Sequence, residues 1–110
     1  MQIDRVQEGN IVVTAVKGRL DSSSAPRLDE VLAVIPEGSS GLLLDFAEVS
    51  YISSAGLRVV LKAAKLARSS GVALAVCGLT PQVYEVFEVS GFSSLIPTHQ
   101  SRETALAAIG

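Results

Sequence analysis

Cysteine and histidine are almost missing from this chain: among 110 residues there is one of each, Cys77 and His99. A single cysteine excludes an internal disulfide and any multi-cysteine metal site. A single histidine leaves little from which to build a zinc or iron centre, so neither a metal nor another cofactor is expected. Tryptophan is absent, and the aromatics are two Tyr and three Phe, so the core has to be aliphatic. Basic charge is scarce too, with 9 Lys and Arg against 11 Asp and Glu and a net charge of −2. Nucleic acid is therefore not an expected partner, since non-specific binding needs a basic excess. No apolar run approaches the ~20 residues of a membrane helix, and no signal peptide opens the chain. No membrane insertion is expected, and a cytoplasmic location is the default.

What is present is a chain that is 48% hydrophobic, with material for one core and a length suited to one domain, residues 1–110. Residues 2–7 and 11–17 read as two strands. Glu8-Gly9-Asn10 between them is turn chemistry, which predicts an antiparallel hairpin. Gly18 is expected to end the second strand. The serines at 22–24 offer caps for a first helix, with Pro26 in its first turn and Asp29 and Glu30 near its positive end. Leu28, Val31, Leu32 and Ile35 keep helical spacing, and Pro36-Glu37-Gly38 stops it. Residues 42–46 form a third strand. A second helix runs from about 55 to 69, with Gly71 as its stop. On it Leu57, Val60, Leu61 and Ala64 share one side, and Arg58, Lys62 and Lys65 share another, read as a solvated face with a partner site as the second reading. Val59, Ala63 and Leu66 lie beside the cations and are expected to cover a neighbouring helix, with a docking stripe as the alternative.

Residues 72–77 read as a fourth strand and 94–97 as a short edge strand ending at Pro97. Thr80-Pro81 opens a third helix whose Val83, Val86 and Phe87 face inward. Ser101 caps a closing helix through Ile109. Strands joined through helices need crossovers, so strands two to four should be parallel. The fold class is α/β: a mixed, mainly parallel sheet of four to five strands with four helices.

The stretch around which the rest is organised is 42–57. It reads as a buried strand, a short polar loop, and a helix starting at Ser53-Ser54. A hydroxyl at that end lies where backbone N–H groups lack intrahelical partners and the helix dipole is positive, a place that suits a phosphate. From the spacing alone, both serines as simple caps is the plainer reading. Asp21 either braces its serine-rich loop or binds a partner. Asp45 reads as a turn former and Cys77 as a small buried hydrophobe; His99 has no ligand partners nearby. A strand–serine–helix turn is similar to the nucleophile elbow of the α/β-hydrolases. Here, however, Ile52 stands where Gly-x-Ser-x-Gly needs glycine, and His99 is the one available base. No phosphate-cradling Gly-x-x-x-x-Gly-Lys is present. An enzyme is not expected.

Two motifs, Gly18-Arg19-Leu20-Asp21 and residues 43–57 through Ser53-Ser54-Ala55-Gly56-Leu57, resemble the STAS domain of anti-sigma factor antagonists. The β/α order agrees over essentially the whole chain. Gly78-Leu79-Thr80-Pro81 and Ser90-Gly91-Phe92 fit the family's third-helix region. The resemblance implies a bacterial switch protein. Unphosphorylated, it binds an anti-sigma factor that is also a serine kinase, and so releases a sigma factor. Phosphorylation separates the two, and a phosphatase resets the cycle. The implied acceptor is Ser54, with Ser53 as second choice, because Ser53 occupies the position where the family pattern has Asp. The implied partner surface is Asp21, Ser53, Ser54, Ala55, Gly56, Leu57 and Arg58. Gly56 is expected to leave the backbone open to a partner's approach. Other STAS proteins act without phosphorylation, as partner or scaffold subunits in transport, lipid-trafficking or signalling complexes, and that is the alternative.

Overall fold

Antiparallel pairing is confined to the first two strands. In a computed structural model describing residues 1–110, β1 (Gln2–Glu8) pairs with β2 (Ile11–Leu20) across the turn at Gly9, which takes φ +63°. From there β2, β3 (Gly41–Ile52), β4 (Ala73–Cys77) and β5 (Thr98–His99) are all parallel, and the sheet order is the chain order. Every crossover therefore steps the same way. Right-handed crossovers then place α1 (Ala25–Leu32), α2 (Ser54–Ser69) and α3 (Pro81–Val89) on one face of the sheet. The contacts agree: Leu28, Val60, Val83 and Phe87 share a core of 19 buried residues with Val16, Leu20, Leu44 and Phe46. The other face carries α4 (Arg102–Ile109), whose Ala105 joins a six-residue cluster with Val13, Leu43 and Cys77. At roughly 1.5–3 kcal/mol for each large apolar side chain buried, the first face carries most of the stability.

The structure moves several expected boundaries. Gly18 does not end β2. It takes φ +105° beside a register shift, and the strand continues to Leu20. The edge strand is 98–99, not 94–97. Residues 92–94 form a 3₁₀ turn, and the Ile96 N–H still reaches the Phe92 carbonyl at 2.8 Å. The chain extends only after Pro97, whose carbonyl accepts from the Val76 N–H at 3.0 Å. The buried stripe of α2 is Gly56, Val60, Ala63 and Ala67 rather than Leu57, Val60, Leu61 and Ala64. These mostly small residues bring α2 close to the sheet and leave Leu57, Leu61 and Ala64 half-buried on its flank.

The first helix stops at Leu32, short of Ile35, and leaves Asp29 and Glu30 beyond its first turn. Asp29 instead meets Lys62 of α2 at 3.2 Å. The end of α1 is held from β1: Arg5 Nη1 donates to the Val34 carbonyl at 2.6 Å. Arg5 Nε donates to the hydroxyl of its cross-strand partner Thr14, the one fully buried polar side chain, at 3.1 Å. Burial lowers the Arg5 pKa, and its Nη2 has no partner. Arg5→Ala should therefore cost about 1–3 kcal/mol, because it orphans a buried hydroxyl. In Thr14→Val, where no hydroxyl remains to be orphaned, the same change should cost measurably less. A urea-denaturation double-mutant cycle checks this; additive losses would show that the Arg5–Thr14 bond contributes nothing.

Candidate functional site

The site begins where β3 outruns β4. Pairing with β4 ends at Asp45 opposite Cys77, and residues 46–52 continue with β2 alone as neighbour. The polar loop expected before the second helix is thus strand, because Val49 and Ile52 are buried and anchor it while Ser50 and Tyr51 face solvent. The last pairs are Arg19 opposite Tyr51 and Leu20 opposite Ile52. The Ser53 N–H then bonds the Leu20 carbonyl at 2.9 Å. One residue joins strand to helix.

That residue is Ser53, and the structure gives the two serines different positions. Ser53 is the N-cap, in extended conformation, and its Oγ accepts from the Gly56 N–H at 3.4 Å. Asp and Ser are both N-cap residues, so serine at the position where the resemblance expects aspartate keeps the cap. Ser54 is the first residue of α2 and is exposed, and its hydroxyl makes no hydrogen bond within the chain. Ala55 and Leu57 are half-buried and pack on the main core, while Arg58, one turn beyond Ser54, is exposed.

Gly56 differs from expectation. It is buried, and a Cβ there would lie 2.7 Å from Leu20 Cγ, 2.9 Å from Ile52 Cγ1 and 3.0 Å from the Leu20 carbonyl oxygen. The missing side chain lets α2 start against the ends of β2 and β3. It serves the domain's own packing rather than opening the backbone to a partner.

Asp21 directly follows β2, and so lies at the same sheet edge as Ser54. Its Oδ1 accepts from the N–H groups of Ser23 (3.0 Å) and Ser24 (3.2 Å), and its Oδ2 faces Arg19 Nε at 3.8 Å. The bond from the Ser23 N–H, chiefly, lowers its pKa, with Ser24 and Arg19 adding to the effect. A depressed folded pKa means a contribution present above the ordinary aspartate value and lost as pH falls through the folded one. Loop bracing is thus a role of Asp21. Of the serines at 22–24 that offer caps, Ser24 holds the N-cap position of α1, but its hydroxyl donates to the Arg19 carbonyl at 2.8 Å and makes no cap bond.

Two residues outside the expected site set lie at the same strand ends. The Arg19 guanidinium lies 4.4 Å from the centre of the Tyr51 ring, a cation–π contact, and Tyr51 is 43% exposed. Their pairing depends on strand register, which no local signal records, since Gly18 is a strand-ending residue type and residues 50–51 carry the pattern of a polar loop.

Asp45 is more than a turn former. Oδ1 accepts from the Ala47 N–H at 3.0 Å, and Oδ2 binds Arg102 Nη2 at 2.9 Å and Nε at 3.1 Å, tying α4 to β3. Burial, and then the Asp45 charge, push the Cys77 thiol up to about 12. It stays protonated at neutral pH and packs as a small hydrophobe. His99 contributes its carbonyl, which accepts from the Gly78 N–H at 3.0 Å. No cluster of His, Cys, Asp or Glu is arranged to hold a metal, and no helix is long and apolar enough to cross a membrane.

Residues 2–105 match the family model described as the STAS domain. A Bordetella bronchiseptica protein, BtrV, named among anti-sigma factor antagonists, is 43% identical over 99 residues, covering 89% of this chain and 85% of that protein. The anti-sigma-B factor antagonist of Listeria monocytogenes is 37% identical over 83 residues, covering 74% of this chain and 72% of its own. Among solved structures, a Thermotoga maritima protein described as an anti-sigma factor antagonist superposes with a TM-score of 0.88 at 17% identity. It covers 97% of this chain and 93% of its own, a likeness of fold.

Proposed function

We propose, from the premise that this chain belongs to the STAS domain family, that it is an anti-sigma factor antagonist switched by phosphorylation at Ser54. In the unphosphorylated form it binds an anti-sigma factor that is also a serine kinase, and a sigma factor is released. The kinase transfers a phosphoryl group from ATP to the Ser54 hydroxyl, the complex separates, and a phosphatase resets the protein. The chain itself is a binding module rather than an enzyme, acting in the cytoplasm with its partners.

The observation that carries this reading is the division between the two serines: Ser53 is engaged as the cap, and Ser54 is exposed and free at the first turn of a 16-residue helix. Phosphorylation adds about −1.5 to −2 charge. The helix N-terminus favours a negative charge by roughly 0.3–1 kcal/mol, and Arg58 stands at the i+4 position from Ser54. The domain accommodates the phosphate without refolding. The partner surface comprises Asp21, Ser53, Ser54, Ala55, Leu57 and Arg58, extended by Arg19 and Tyr51, with Gly56 setting the height of the helix from below. Tyr and Arg are the residue types that most often anchor interfaces.

Incubation with the cognate anti-sigma factor kinase and ATP, followed by mass-spectrometric mapping, should find one phosphate, on Ser54. Ser54→Ala should abolish it. Ser53→Ala should keep the site while costing ~0.5–2 kcal/mol for the lost cap. Phosphate on Ser53 would overturn the assignment. No phosphate on either serine would leave a STAS partner subunit that acts without modification.

A further inference from the structure

Charge is unevenly shared in this molecule. Four of its nine cationic residues, Arg58, Lys62, Lys65 and Arg68, lie exposed on α2, which contains no acidic residue. The net charge of −2 is thus +4 on this helix and −6 on everything else (5 cations against 11 anions). Lys62 meets Asp29 of α1. Lys65 and Arg68 form no ion pair within the chain.

Those two cations border an apolar groove. α1 packs along one flank of α2. The opposite flank faces the segment after α3, and between them lies a groove of about 570 Å³. Its walls are Leu61 and Ala64 of α2, Leu74 of β4 and Leu95, with Lys65 and Arg68 along the rim. Leu61, Ala64 and Leu74 are half-buried, and Leu95 is 68% exposed. The floor is closed by buried Ile96 and Val72.

We propose that this groove docks an acidic amphipathic helix of a protein partner, its apolar stripe on Leu61, Ala64 and Leu95 and its carboxylates on Lys65 and Arg68. An apolar channel with one basic rim selects such a helix by both of its faces, which is the helix-in-groove mode of recognition. Polyanions with more extended charge are disfavoured, because the rest of the chain carries a net charge of −6. At 1.5 Å per residue, Leu61 to Arg68 lies ~10–21 Å along the helix from Ser54. The groove is therefore a second contact region, and its occupancy does not depend on the state of the serine.

The test uses the full ¹⁵N-labelled chain. The probe is a blocked 14-residue synthetic helix with Leu at positions i, i+3 and i+4 of each of its two heptads and Glu elsewhere. Saturable amide shifts are expected at Leu61, Ala64, Leu74 and Leu95. Lys65→Glu combined with Arg68→Glu should weaken binding at least tenfold, and Leu95→Ser, at a site already open to water, should weaken it with no change in melting temperature. Ser54→Asp should leave it unchanged, which separates this surface from the phosphoswitch. Equal binding of the charge-inverted Lys peptide, or shifts confined to other elements, would overturn the proposal. So would concentration-dependent shifts at the same residues without peptide, which would identify a second copy of the chain as occupant. Sedimentation with phosphatidylglycerol vesicles, lost in the double variant, would point to a membrane surface instead.

Discussion

Ser54→Asp is expected to weaken binding of the anti-sigma factor kinase by on the order of 100-fold or more, while the melting temperature stays within ~2–4 °C of the parent. The two halves of this expectation have separate causes. Within the domain, Ser54 is exposed, bonds to nothing, and begins a helix whose N-terminus favours negative charge. A carboxylate there should change stability by no more than about 0.5 kcal/mol, the usual range for surface substitutions. In the proposed complex the same position is desolvated by a partner that fits a neutral hydroxyl. An uncompensated charge at such a place costs roughly 3–5 kcal/mol, and each 1.4 kcal/mol is tenfold in affinity. Calorimetric titration against the kinase, beside a thermal melt of the free protein, measures both. A large drop in melting temperature would show that Ser54 is chiefly structural. Unchanged affinity would remove the switch.

Gly56→Ala is expected to destabilise the fold by about 1–2 kcal/mol, lowering the melting temperature by ~4–16 °C. Two effects oppose each other. Alanine is the better helix former by ~1 kcal/mol. Its Cβ, however, would fall inside contact distance of Leu20 Cγ, Ile52 Cγ1 and the Leu20 carbonyl oxygen together. Overpacking a buried position typically costs ~1–3 kcal/mol and sometimes more. Here Leu20 and Ile52 are themselves fully enclosed, so neither can rotate away cheaply, and the steric cost wins. Since Ser53 and Ser54 immediately precede the clash, partner binding should fall as well, even at temperatures where the variant is folded. Thermal and urea denaturation followed by circular dichroism test the stability. A raised melting temperature would mean that α2 lifts off the strand ends without loss.

Local pattern was enough for most elements, and where it failed the failures share a cause. The hairpin and the caps at Thr80 and Ser101 follow from turn and capping chemistry within a few residues, and the parallel pairing of strands two to four from the crossovers that the intervening helices require. Residues 47–52 carry no strand signal of their own, since Glu48, Ser50 and Tyr51 are polar or exposed types. They are strand because β2 continues alongside through two register shifts, and nothing within 47–52 records that. The apolar pair Leu95-Ile96 imitates an edge strand, but Ile96 fills the core while Leu95 faces solvent, and the strand forms at 98–99.

By itself, the sequence determined the class of domain, the order of its elements, and the serine pair at the start of the second helix, since each rests on contacts between near neighbours in the chain. Tertiary structure alone decided which serine is bound as a cap and which is free, why position 56 has no side chain, and that Arg19 meets Tyr51. It also decided that α2 has one flank against α1 and another left as a groove. Each of these depends on which distant residues β2 and β3 bring to the same edge, and register between strands is set by the packing of the whole core.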